Sequence, residues 1–324
     1  MKSPKIAIIL PAYNEELTIA STIGAFHKAC PHAYIYVIDN NSKDNTNRIA
    51  RQVIEENSIQ GGVFFVARQG KANAMRWAFT NIESEIYVMC DADATYPAEK
   101  INDLLLPVLK GEAEMVVGDR LSGASQEYRD ATNRQFHSFG NQLIRLIINK
   151  LFRAKMNDIL SGFRVFSRRF VLNFPILSEG FELETEMTLF ALDRRFEIRE
   201  IPTPIVSRPE GSASKLNTIT DGTKVIRKVF SIFRDYRPFL FFGGIASFLA
   251  IMGLGFGAIP VYEFISTGTV LRFPTAILAS SLIVLSVLVF AIGLILQTVE
   301  RHHRLSFERG LINFGRSKKF EKEE

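Results

Sequence analysis

Cysteine is nearly missing from this chain. Cys30 and Cys90 are the only two among 324 residues. They have neither metal-ligand nor disulfide spacing, which excludes a zinc module or a disulfide-stapled fold. Tryptophan occurs once, as Trp77, and the five histidines sit in no catalytic or metal motif. There is no Gly-x-Gly-x-x-Gly and no Walker lysine sequence, so the common dinucleotide and P-loop phosphate sites lack support. Charge of one sign is not in large excess. A net charge of +5 with 47% hydrophobic residues gives no dominating basic face of the kind that nucleic acid selects. A signal-peptide layout is absent too: the run from Ile6 to Leu10 is too short for an h-region and meets Pro11. The first ~230 residues are therefore expected in the cytosol.

The most informative absence is of charge in two long stretches. No charged residue occurs from Phe239 to Tyr262, and none from Phe273 to Val299. Each stretch exceeds the roughly 20 apolar residues that cross a bilayer core. The loop between them, Glu263 to Arg272, carries no net charge. The tail after Glu300 holds Arg301, Arg304, Arg309, Arg316, Lys318, Lys319 and Lys322. The positive-inside rule then places both ends in the cytosol and the loop outside. No polar residue sits mid-span in a way that suggests an ion path, which speaks against a channel or transporter.

The first half alternates short apolar runs with helical patterns. Strands are expected at Lys5–Leu10, Ala33–Ile38, Val63–Ala67, Ile86–Cys90 and Met115–Gly118. Pro11 is expected to end the first ladder, with Asn14 or Glu15 starting a helix that runs to about Lys28. This alternation argues for an α/β fold with a mostly parallel, doubly wound sheet. Ligands bind past the carboxyl ends of such strands, and four of these strands end in charged side chains. The fourth ends in Asp91-Ala-Asp93. Two carboxylates at a ligand edge suit a hard divalent cation that bridges to phosphates. The plainer alternative is that they cap the next helix.

Further on, Asn133 to Phe152 reads as a basic helix with a bulky apolar face, suited to a membrane interface or to core packing. Asp158 to Arg164 reads as a loop with a strand attached. Glu182, Glu184 and Glu186 fall on alternate or helix-adjacent positions. Ile198 to Val206, with Pro202 and Pro204, reads as an edge strand. Arg208 to Lys215 is a small loop with a cation at each end, able to fold over phosphates. Thr220 to Arg237 is amphipathic and basic, as a juxtamembrane helix would be. The expected layout is a catalytic domain over 1–218, that helix over 219–237, a two-helix hairpin over 238–299 with spans near 239–261 and 274–298, and a basic tail over 300–324.

The motifs Pro11-Ala-Tyr-Asn-Glu15, Val37-Ile-Asp-Asn-Asn-Ser42, Asp91-Ala-Asp93, Gly118-Asp-Arg120, Ser161-Gly-Phe-Arg164 and Ser212-Ala-Ser-Lys215 stand in one order over about 200 residues. Together they resemble glycosyltransferase family 2, of GT-A fold, and within it the polyprenyl-phosphate enzymes of the dolichol-phosphate mannose synthase type. The resemblance implies a nucleoside pocket lined by Pro11, Ala12, Tyr13 and Glu15, with Asp39 on the base and Lys71 among the nucleotide contacts. It implies Asp91 near the ribose and metal, and Asp93 as a ligand of Mg2+ or Mn2+. Arg208, Ser214 and Lys215 would clasp the donor diphosphate. Arg120, Arg134 and Arg164 would hold the acceptor phosphate, and Asp93, Arg120 and Arg134 would carry catalysis. Glu182 and Glu184 are candidates for the donor sugar. Two departures matter. Asn40 stands where relatives often have a second aspartate, and Thr95 where the mannose synthase type often has Gln.

The implied reaction is inverting transfer of one sugar from a nucleotide sugar to a polyprenyl phosphate at a lipid bilayer. A UDP-sugar such as UDP-glucose or UDP-N-acetylglucosamine is favoured, with GDP-mannose as the alternative. A homo-oligomer, dimer or tetramer, is the family-level expectation. A processive polysaccharide synthase would carry Gln-x-x-Arg-Trp after the aspartates, whereas Trp77 precedes them. Transfer to a different lipid, or a membrane-anchored scaffold without catalysis, remain as further readings.

Overall fold

The computed structural model describes residues 4–122, 135–178, 183–204, 230–232 and 234–320. These fall into two compact units, residues 1–219 and 220–324.

The first unit is built on a seven-stranded sheet of order β3-β2-β1-β4-β6-β5-β7. The strands are β1 (Ile6–Ala12), β2 (Tyr34–Asp39), β3 (Gly61–Phe65), β4 (Ile86–Met89), β5 (Met115–Asp119), β6 (Arg164–Ser167) and β7 (Ile198–Pro202). All neighbours are parallel except β6, which runs antiparallel between β4 and β5. Helices α1 (Ile19–Ala29), α2 (Thr46–Glu56), α3 (Lys71–Asn81) and α4 (Ile101–Leu109) fill the crossovers. The later helices are α5 (Gln135–Phe152), α6 (Arg168–Asn173) and α7 (Leu183–Asp193).

Side chains alternate across a strand, and here both alternations are apolar. Ile8, Leu10, Ile35, Val37 and Val88 form one core with residues of α1, α2 and α4. Ala7 and Ile9, equally buried, project to the other face, where α3 packs on β1 and β2. Cover on both faces explains why these strands read as continuous apolar runs. Stacked and edge-on rings of Phe166, Phe170, Phe174, Phe190 and Phe196 bind β6, α6 and α7 together.

Two local expectations are corrected. Pro11 does not end β1, which runs on to Ala12 with Pro11 opposite Ile38. The β4 pairing has already stopped at Ile9↔Met89, so β1 has one neighbour there and a residue without an N–H is tolerated. Nor does α1 begin at Asn14 or Glu15. Asn14 adopts a left-handed φ of 53°, the helix starts at Ile19, and Leu17 is left exposed. Ile198–Pro202 does form the edge strand, and residues 164–167 form the strand attached to the Asp158 loop.

The second unit contains α8 (Pro238–Thr267) and α9 (Phe273–Phe320). Gly268, at φ 72°, ends α8 in the left-handed conformation that glycine accepts. Arg272 pairs with Glu263 at 3.0 Å across the turn. The two helices pack closely: Ser286 Oγ donates to the Ala246 carbonyl at 2.8 Å, and a Cβ on Gly293 would stand 2.9 Å from Phe242 Cβ. Their most apolar windows have mean hydropathies of 2.1 and 2.7 but are only 11% and 17% buried. A soluble core helix would be covered, so this apolar exterior fits a lipid environment. Helix α9 runs without a break from the apolar stretch into the basic tail.

Candidate active site

The carboxyl ends of β1, β2, β4 and β5 lie along one edge of the sheet, and antiparallel β6 delivers its preceding loop, 158–163, to the same edge. Sequence-distant motifs thereby become neighbours.

The loops after β1 and β2 are sewn to each other. Asn14 N donates to Ser42 Oγ at 3.0 Å, Lys43 N to Asn14 Oδ1 at 2.7 Å, Glu15 N to Thr46 Oγ1 at 2.8 Å and Asn45 N to Glu16 Oε2 at 3.0 Å. Asp39 is 2% exposed. Its carboxylate accepts from Ser42 N at 3.0 Å and Asn47 Nδ2 at 2.9 Å. Asn40 has a role that aspartate could not fill. Its amide donates to the Arg68 carbonyl at 2.8 Å while its oxygen accepts from Gly70 N at 2.6 Å. Aspartate lacks the donor. Asn40 thus fixes the chain just before Lys71, the first residue of α3.

Lys71 reaches across the edge to two carboxylates. Its ammonium pairs with Asp91 Oδ1 and with Glu184 Oε1 at 2.6 Å. The Lys71 and Glu184 side chains are 11% and 6% exposed, that of Asp91 32%. Burial alone would depress the Lys71 pKa, but the charges of Asp91 and Glu184 outweigh it and hold it above the usual lysine range. Gly162 closes over this cluster. A Cβ there would collide with Asp91 Oδ2 and lie 3.0 Å from Lys71 Nζ, so the Ser161-Gly162-Phe163 backbone packs directly on the charges.

The second aspartate is held differently. Asp93 is 6% exposed. Its Oδ1 accepts from Thr95 Oγ1 at 2.6 Å and Thr95 N at 3.2 Å. Thr95 thus orients this carboxylate, a role legible only once the loop is folded. Between the two aspartates, the Ala92 carbonyl accepts from Thr18 and Thr22 at 2.9 and 3.2 Å, and Ala94 is left-handed at φ 57°. No group of three or more His, Cys, Asp or Glu side chains gathers into a metal cage among the described residues. Two carboxylates do fit Mg2+ or Mn2+, because such ions commonly take one or two protein carboxylates and complete their shell with substrate phosphates and water.

A second pair lies beyond β5. Arg120 Nε donates to Asp158 Oδ2 at 2.6 Å, Arg120 Nη2 to Oδ1 at 2.8 Å and Arg120 N to Oδ2 at 3.1 Å. Asp158 is 3% exposed and Arg120 27%. Burial would raise the Asp158 pKa, but Arg120 pulls it below the ordinary value. Glu200 holds the loop from behind, accepting from Asn157 N and Asp158 N at 2.9 and 2.8 Å. Tyr96 OH accepts from Gly162 N at 2.9 Å, and burial pushes its pKa up to about 12. Asp158, Tyr96 and Glu200 carried no signal as site residues, and Thr95 stood out only as a departure from the family pattern, because a loop anchor looks like any other polar residue in sequence.

Arg164 is where expectation and structure part. It is fully buried, donating to the Ile159 carbonyl at 2.6 Å, the Ser161 carbonyl at 2.9 Å and Thr188 Oγ1 at 2.9 Å. Burial pulls its pKa down to about 10. A guanidinium so enclosed has no surface to offer an acceptor phosphate; it clamps the 158–163 loop. Glu184 meets Lys71 as described. Pro11, Ala12, Tyr13 and Glu15 lie at and beyond the end of β1. Arg134, Glu182, Arg208, Ser214 and Lys215 lie outside the described residues.

The sheet order, with β6 antiparallel between β4 and β5, and the carboxylate-bearing edge define a GT-A-like architecture. The profile described as "Glycosyl transferase family 2" matches residues 7–173. Glycosyltransferase AglJ of Haloferax volcanii is 30% identical over 261 residues, covering 80% of this chain and 82% of that protein. Polyprenol monophosphomannose synthase of Mycolicibacterium smegmatis is 24% identical over 63% of this chain and 78% of its own length. Among solved structures, glucosyl-3-phosphoglycerate synthase of Mycobacterium tuberculosis, crystallised with Mn2+, uridine diphosphate and phosphoglyceric acid, superposes with a TM-score of 0.53. It is 20% identical over 71% of this chain and 78% of that one, a likeness of fold. This chain belongs to glycosyltransferase family 2 and is a glycosyltransferase.

Proposed function

We propose that the protein transfers one sugar, with inversion, from a nucleotide sugar to a polyprenyl phosphate at the cytosolic face of a membrane. The observation that carries this reading is the conjunction in one chain of the Asp91/Asp93 edge with two long, lipid-compatible helices. The polyprenol monophosphomannose in the name of a relative supports the acceptor class. A UDP-sugar such as UDP-glucose or UDP-N-acetylglucosamine is the favoured donor, and the uridine diphosphate in the structural relative agrees with it. GDP-mannose is the second reading, favoured by the monophosphomannose synthase.

Each group has a task in the proposed reaction. Asp39 and the sewn β1 and β2 loops frame the nucleoside. Asp91, held by Lys71, and Asp93, oriented by Thr95, hold a divalent cation. When bound, that ion offsets the charge developing on the leaving diphosphate. Arg120, kept in place by Asp158, and Arg134 position the acceptor phosphate, while Arg208, Ser214 and Lys215 enclose the donor diphosphate. A lipid phosphate is already anionic at neutral pH, so its oxygen attacks without a strong general base. What it needs is placement. Single in-line displacement turns an α-linked donor into a β-linked product.

The test is incubation of membranes containing the protein with a panel of nucleotide sugars and polyprenyl phosphate, followed by mass spectrometry of the lipid. One metal-dependent polyprenyl-phosphate sugar is expected, β-linked by NMR. An α-linked product, or sugar found only on diacylglycerol, would overturn the reading.

A further inference from the structure

The Lys71–Asp91–Glu184 cluster does something that donor binding alone does not require. A metal ligand is normally left open to its ion, yet Asp91 already has a buried ammonium on one oxygen. The arrangement is held from every side. Asn40 pins Gly70 N at 2.6 Å, one residue before Lys71. Glu184 holds the same ammonium at 2.6 Å from α7. The Gly162 backbone leaves no room for even a methyl group against Asp91. Lys71 and Glu184 lie behind Asp91, which is the most exposed of the three. The ammonium is therefore a fixed part of the site.

Resting on the proposed metal and nucleotide site, we infer that Lys71 is a positioning residue that shares Asp91 with the metal, weakening the site for a bare divalent cation so that cation and nucleoside diphosphate enter together. The charges give the reason. Among the described residues, Asp91, Asp93 and Glu184 contribute three negative charges, set against Lys71 on Asp91 and the buried Arg164 guanidinium near Glu184. Without Lys71 the site would attract free Mg2+ or Mn2+ strongly and repel a diphosphate. With it, the carboxylates are part-neutralised in a buried setting where screening is weak. A bare cation gains less, and a diphosphate meets less repulsion. Glu184 is the counterweight, drawing the ammonium toward α7 and away from full neutralisation of Asp91.

The signature is a pair of opposed shifts, which a merely structural role would not produce. The experiment uses the purified full chain in detergent micelles. Mn2+ binding without nucleotide is read from the electron paramagnetic resonance of free Mn2+, and binding of UDP and of GDP in EDTA is read by calorimetry. Lys71→Met is expected to bind bare Mn2+ at least tenfold more tightly and the metal-free nucleotide severalfold more weakly. Glu184→Gln should shift both in the opposite directions, and it carries the test alone if Lys71→Met fails to fold. Weaker binding of both ligands by Lys71→Met, or unchanged Mn2+ affinity in whichever variants fold, would overturn the inference. Asp93→Asn separates this from the underlying reading. If Asp93→Asn loses Mn2+ while the Lys71 and Glu184 variants match the wild type, only the inference falls. If Asp93→Asn keeps Mn2+, the metal-site reading falls and the inference falls with it.

Discussion

Asp93 and Asp158 are both buried carboxylates on one edge of the sheet, and their surroundings give them different work. Asp93 accepts from Thr95, which fixes its direction without supplying a charge. Its replacement by Asn should lower turnover by at least about a hundredfold, the scale of losing one preorganised electrostatic contact, with the fold intact by circular dichroism. Asp158 is bound bidentately by Arg120. Asp158→Asn would leave that guanidinium without its carboxylate and should cost about 2–4 kcal/mol in denaturant unfolding, reduced by the part-exposure of Arg120. The pH dependence has a definite sign. Arg120 lowers the Asp158 pKa in the folded protein, below an unfolded value of about 3.9. Its stabilisation is therefore complete above about pH 4 and is lost as pH falls through the lower folded value. Unfolding measured between about pH 2 and 6 should show an acid loss in the wild type that Asp158→Asn lacks. The two residues also show what sequence could reveal. Asp93 stood out because two carboxylates closed an apolar run. Asp158 did not, since its meaning depends on Arg120, 38 positions away, and on β6 turning antiparallel. Arg164 misled for the same reason: a charge in a motif does not say whether it faces a ligand or the backbone.

Strand positions, their mostly parallel order and the two apolar helices followed from periodicity and from runs without charge, both local properties. The insertion of β6 between β4 and β5 did not, because both its neighbours are distant in sequence. That strand brings the 158–163 loop to the ligand edge, so the least legible element completes the site. Close approach between strands gives a test at this scale. Gly61 starts β3 with φ 125°, and a Cβ there would run into the Ile35 carbonyl. Gly62 has only the Phe64 ring nearby, at 3.4 Å. Gly61→Ala should destabilise the first unit by about 2 kcal/mol or more, from left-handed strain and backbone collision together. Gly62→Ala should cost well under half of that in the same thermal melt. Equal losses would mean that β2 and β3 do not pair in the register Ile35↔Gly61.

At the scale of the whole molecule, reaction class and location come from different units. The sheet supplies the transferase chemistry, and the hairpin gives a reason for that chemistry to act on a lipid. Charge asymmetry makes the proposed topology testable. The turn between α8 and α9 carries Glu263 and Arg272, which pair with each other, whereas α9 continues into a tail bearing Arg301, Arg304 and Arg309. Basic segments stay on the cytosolic side, so the turn should face outward and the tail inward. A cysteine at Thr269 should react with a membrane-impermeant maleimide in intact cells, and one at Arg309 only after lysis. Cys30 is half-buried and is replaced by Ser so that only the introduced thiol is read. Cys30 and Cys90 belong to the first unit, Cys90 is buried, and burial raises the pKa of both, which leaves less reactive thiolate. Labelling of Arg309→Cys in intact cells would invert the topology. It would place the sheet with its Asp91/Asp93 edge outside, away from the cytosolic supply of nucleotide sugars on which the proposed reaction depends.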